Sequence, residues 1–205
     1  MGALMLALCN LLLPSMDTFL QHWISDELLT FERSTLERLN VNPEHIDFLT
    51  QTGLPKDAAP FLTFENELQT LNEIYGLDEL RSLTKIVIGR DGAGDPICIE
   101  LTNQRIYVYD HEDHFEPRFM NSSVTELFKF LTLFKAFAER LINDKGEDAF
   151  IDANFTDDEL LELISKLRFI DPTAMEPSTF WNLEIDTMKA NREYYRNENT
   201  GDNRR

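Results

Sequence analysis

Cations are scarce in this chain. Its 205 residues hold 19 lysines and arginines against 37 aspartates and glutamates, a formal charge of −18. Such acidity argues against direct nucleic-acid binding, which draws most of its affinity from basic contacts to phosphate. It also disfavours anionic membrane surfaces, and it favours fast encounter with a basic partner. Cysteine is nearly missing as well. Cys9 and Cys98 stand far apart in the sequence, so no disulfide framework is indicated and a reducing cytoplasm fits better. No apolar run is long enough to span a bilayer. Residues 1–13, MGALMLALCNLLL, are almost wholly apolar, but they are short, lack a positive flank and lead into no cleavage site.

Chemistry-bearing constellations are lacking too. Ser122 and Ser123 have no glycine-flanked nucleophile elbow and read as helix caps. The glycine-rich residues 89–94 lead into Pro96 and a strand, whereas a phosphate cradle needs a helix N-terminus there. Residues 91–95, DGAGD, lack the spaced oxygen ligands of a calcium loop. Residues 110–114, DHEDH, have the composition of a metal site. With no second His or Cys cluster to complete it, this stretch reads as a solvated strand exit. Neither a cofactor, a metal nor an enzymatic activity is expected.

What the chain does have is core. Hydrophobic residues make up 42%, fifteen of them phenylalanine, and a chain of this length buries about 70% of its unfolded surface. Residues 1–15 read as an extension ahead of the domain, residues 16–195 as one domain, and residues 196–205 as a polar flexible tail. Helices are predicted over 17–23 and 26–39, the second with Leu28, Leu29, Leu36 and Leu39 on one stripe. Asn42 caps a helix that opens at Pro43. Gly53 ends it, and an extended segment runs on through Phe61, Leu62, Thr63 and Phe64. Residues 65–80 pass from strand or loop to a short helix near Leu77.

The centre of the chain is residues 85–113. Three β-rich runs, 85–89, 97–101 and 105–109, are separated by tight turns, which predicts an antiparallel meander and excludes αβ crossovers. Ile97, Ile99 and Leu101 alternate with Cys98 and Glu100, and Ile106 and Val108 with Tyr107 and Tyr109, so one face should lie under helices. Residues 112–118 read as an irregular charged connection. Ser123 to Glu126 matches a capping box, followed by Leu127, Phe128, Leu131, Phe134, Ala138 and Leu141 at helical spacing. Phe130, Leu133 and Phe137 widen that stripe, so the helix is buried on more than one side. Thr156 to Glu159 is a second capping box, for a helix that Asp171-Pro172 stops. A last helix over 178–195 carries Trp181. The fold class is α+β.

In order, the chain presents Gly53-Leu54-Pro55, Ile88-Gly89 before an acidic turn, a paired strand at 97–101, and a second strand ending in Asp110-His111. Phe119 to Ser123 then enters the long helix, and Ile170-Asp171-Pro172 precedes a helix with Trp181. This order resembles the SUKH superfamily of bacterial immunity proteins, and most of all its fourth immunity subgroup. The resemblance covers residues 48–188. It implies an antiparallel sheet backed by helices, and neutralisation of a cognate toxin of a polymorphic or contact-dependent system by direct binding. The superfamily also includes a fungal regulator of cell-wall synthesis, so a non-enzymatic regulatory or scaffold role is the alternative. The candidate contact residues are Asp91, Asp95, Asp110, Glu112, Asp113 and Glu116. They lie in loops beside the sheet, have no structural duty evident in the sequence, and would suit a basic partner.

Overall fold

A computed structural model of the protein describes residues 15–24, 27–77 and 84–201. Residues 1–14, most of the apolar extension, lie outside it. The main sheet is a six-stranded antiparallel meander in which every neighbour in sequence is a neighbour in space. Its strands are β3 (Asp57–Ala58), β4 (Leu62–Thr70), β5 (Lys85–Arg90), β6 (Pro96–Glu100), β7 (Arg105–Asp110) and β8 (Glu116–Asn121). Ahead of it, β1 (Leu28–Leu29) and β2 (Leu54–Pro55) form a two-stranded ribbon. Seven α-helices complete the described residues: α1 (Met16–Leu20), α2 (Arg33–Arg38), α3 (Pro43–Gln51), α4 (Leu71–Tyr75), α5 (Val124–Lys145), α6 (Asp157–Ile170) and α7 (Phe180–Gly201).

The three predicted central strands are present and antiparallel, with Ile97 opposite Val108 and Ile99 opposite Ile106. Their inward side chains meet α5, which buries Leu127, Phe128, Leu131 and Phe134 completely. Ser123 caps this helix by accepting from the amides of Thr125 and Glu126, and its hydroxyl bonds the Glu126 carboxylate. Trp181 of α7 stacks on Phe134, 4.8 Å between ring centres, and meets Phe130 at a tilt, 5.4 Å between ring centres. The helix is therefore enclosed, as its wide stripe requires.

Five expectations need correction. Leu28 and Leu29 form β1 instead of a helix, and α2 begins only at Arg33, where Glu32 caps it. The cap's carboxyl is held at about 2 by bonds from Ser34 and Thr35. Residues 116–121 are a strand, β8, and not an irregular connection. The short helix predicted near Leu77 is α4, which ends at Tyr75 on the left-handed Gly76. The sheet is also covered on both sides at its centre. Leu71, Val87, Cys98 and Tyr109 form a second apolar cluster opposite the main core. Cys98 belongs to it, and burial pushes its thiol far up from the ordinary range. The last helix, α7, continues to Gly201.

Two glycines are forced by close approach. Gly53 sits at φ +80, and a Cβ there would stand 2.1 Å from the Leu29 carbonyl oxygen of β1. At Gly89, where β5 bulges against β6, a Cβ would stand 2.3 Å from the Thr63 carbonyl oxygen of β4. No helix among the described residues is long and apolar enough to cross a membrane.

Candidate functional site

The six candidate carboxylates fall at one end of the sheet, in the β5–β6 and β7–β8 turns or, for Asp110 and Glu116, on the strand residues that flank the second turn. They divide into two kinds. Asp91 folds its own turn: Oδ1 accepts from the amides of Ala93 and Asp95, each at 2.9 Å. Asp95 is buried and joins the two turns, its Oδ1 accepting from the His111 amide at 2.9 Å and from Nδ1 at 2.6 Å. That carboxylate raises the His111 pKa and favours the imidazolium. Asp110 caps the β7–β8 turn by accepting from the amides of Glu112 and Asp113, both at 3.0 Å, and Arg118 stands 4.0 Å away. These three have structural duties that the sequence alone did not reveal. Glu112, Asp113 and Glu116 are exposed.

Two further residues belong to this end. Glu184 of α7 has its pKa raised to about 6, by burial first and then by Asp91, with Arg118 opposing. Burial likewise raises the pKa of Asp91. Arg118 thus stands among Asp91, Asp110 and Glu184 as their shared counter-charge. Nothing in the order of the sequence announced Glu184, more than sixty residues beyond either turn. Among the described residues, no three His, Cys, Asp or Glu side chains converge as metal ligands.

Beside the β5–β6 turn lies a feature of another kind. Phe61, in the turn between β3 and β4, adopts φ +76 and is 70% exposed. The next residue, Leu62, and Phe64 point into the core. The alternation that buries Pro60, Leu62 and Phe64 leaves Phe61 on the outward side. Phe61 forms one lip of an open groove of about 690 Å³, otherwise lined by Trp23, Ala58, Leu62, Ala138, Ile142 and Ile151 among others. A Cβ on Gly92 would stand 3.1 Å from the Phe61 Cβ. The groove and the acidic turn are therefore contiguous.

The residues that ordered the chain's resemblance do different work. Asp171, buried between α6 and α7, accepts from the Ser122 amide at 2.7 Å, the Ser122 hydroxyl at 3.0 Å and the Asn121 amide group at 3.4 Å. Trp181 Nε1 donates to Asn121 Oδ1 at 2.8 Å. The network pins the start of α5 to the junction before α7. A model of the SUKH-4 immunity protein family matches residues 17–186. The chain belongs to this family. Searches of curated proteins and of solved structures found no match. Membership in SUKH-4 implies immunity to a toxin through binding it, and the family is generally non-enzymatic. In this chain the Asn121–Asp171–Trp181 network and the two crowded glycines hold elements of the fold together, and the acidic turns and the groove are mounted on it.

Proposed function

We propose that this protein protects a bacterial cell by binding a cognate toxin of a polymorphic or contact-dependent system in the cytoplasm and blocking it without chemistry of its own. Membership in the immunity family carries this reading. The charge of −18 supports a basic toxin, and nucleases are the favoured class because an enzyme that holds phosphates presents cations. Capture must outrun damage, and electrostatic attraction speeds encounter more than it deepens affinity. In this proposal the exposed Glu112, Asp113 and Glu116 draw the toxin in. Asp91, Asp95 and Asp110 shape the turns that present them.

The test begins by locating a toxin gene beside this one and uses its toxin domain in a catalytically inactivated form; the absence of any neighbouring or co-purifying toxin would favour the regulatory or scaffold role. Association should slow at least about tenfold between low salt and about 0.5 M, where exposed charges are screened within a few ångströms. Reversing Glu112→Lys, Asp113→Lys and Glu116→Lys together should slow association at low salt and leave the fold intact. Association of the reversed variant at the parent's rate would end the steering mechanism. Failure of the parent to bind the toxin or to protect cells from its active form would end the immunity reading.

A further inference from the structure

The groove beside Phe61 has no role in the fold that would require its shape. Single exposed apolar side chains are ordinary on any protein surface. Here, however, three of the eight large hydrophobic residues exposed among those described converge on one concavity: Phe61, Ile142 at 39% and Ile151 at 59%. They come from three separate segments, the β3–β4 turn, the end of α5 and the loop that follows it. Contiguous apolar surface of this kind marks a binding site more often than scattered exposure does.

The rim defines the occupant. Asp57, Glu139 and Glu147 border the groove and are exposed. The one cation in the lining is Lys135, which lies 4.3 Å above the Trp23 ring and pairs with Glu27 at 3.0 Å and Glu139 at 3.8 Å. Its charge is thus matched within the protein, and the rim is left acidic. The Asp91–Asp95 turn extends the same potential past Phe61. A second copy of this chain would bring another −18 to the contact and be repelled.

We infer that this groove is the anchor site for the toxin, a basic polypeptide that seats an aromatic or aliphatic side chain among Phe61, Ile142 and Ile151 with lysines or arginines over the carboxylate rim. The inference rests on the immunity reading above and adds a division of labour to it. The acidic turns govern the rate of encounter, and the groove governs the lifetime of the complex. Binding energy in protein interfaces concentrates in a few well-packed apolar anchors ringed by polar groups, and rim charges act mainly on association.

Photocrosslinking tests it on the full chain. Phe61 is replaced by p-benzoylphenylalanine, an aromatic substitution at an exposed position, and illuminated with the inactivated neighbouring toxin domain. The expected product joins position 61 to the toxin. A crosslink to a second copy, or to residues 1–13 of the same chain, would assign the groove another occupant and overturn the proposal. In parallel, Phe61→Ala and Ile142→Ser should each weaken binding about thirtyfold through faster dissociation, with melting temperatures near the parent's. Leu161→Ser, at an exposed site on α6 outside the groove lining, should leave binding unchanged. If the Phe61→Ala, Ile142→Ser double variant binds as the parent does, the groove proposal falls and the immunity reading stands. If the parent itself neither binds nor protects, both fall.

Discussion

At the scale of single residues, the strongest commitments are buried polar groups. Asp171 serves three donors of Asn121 and Ser122 at once, and Trp181 depends on the Asn121 carbonyl that this arrangement orients. Truncating it strands those donors away from water. Asp171→Ala should therefore cost about 3–5 kcal/mol in urea unfolding, and a cost below about 1 kcal/mol would show the network to be incidental. Two other residues set a pH dependence of opposite sign. His45 is buried and its Nδ1 has no partner, and burial lowers its pKa to about 4 from 6.5. Between those values the unfolded chain binds a proton that the folded chain refuses. Stability from this residue is full above pH 6.5 and is lost as pH falls towards 4, by up to about 3 kcal/mol. Glu184, raised to about 6, acts the other way. Its contribution is full below the ordinary value of 4.5 and is lost as pH rises through 6. Glu184→Gln should accordingly stabilise the protein at pH 7.5 by about 1–2 kcal/mol and do nothing near pH 4. Equal effects at both pH values would mean that its charge is not the cause.

Among the elements, α5 is the keystone, because it faces the sheet, α3, α6 and Trp181 together. Phe134→Ala should cost about 3–5 kcal/mol, since Trp181 cannot follow into the void without breaking its bond to Asn121. Ser123→Ala should cost on the order of 1 kcal/mol. Thermal melts read both, and a Phe134→Ala loss under 1.5 kcal/mol would mean the core repacks. This helix was legible from its cap and spacing, and the central strands from their alternation, because both signals are local. β8 was not legible. Its sequence, EPRFMN, carries a proline and two charges, and only pairing with β7 makes it a strand. Leu28 and Leu29 read as helical because they fit the stripe of Leu36, whereas their partners are Leu54 and Pro55, more than twenty residues away. The carboxylate end was readable as composition, but not which members were bound into the turns. Phe61 was legible as part of an extended segment, and alternation with Leu62 and Phe64 sends it outward, but the groove it borders is assembled with Ile142 and Ile151, which lie far along the chain.

For the whole molecule, one quantity has two opposed effects. A charge of −18 repels itself in the folded state and attracts a basic partner. Added salt should therefore raise the melting temperature by about 2–4 °C, for roughly 1 kcal/mol of relieved repulsion, over the same range in which the proposed steering mechanism has it slow association. A melting temperature that falls with salt would mean that the native ion pairs, such as Lys135–Glu27 and Lys145–Glu159, outweigh the general repulsion.

The meander also has two outer strands, and neither offers a template to another chain. β3 is two residues long, and beyond it Asn66 of β4 spends its side-chain amide on the Thr30 carbonyl at 3.0 Å. β8 begins Glu116-Pro117-Arg118, so its free side opens with a missing N–H between two charges. Growth of copies through their sheets needs a long unpaired edge. In this chain the sheet ends where strand-on-strand growth towards fibres would have to start.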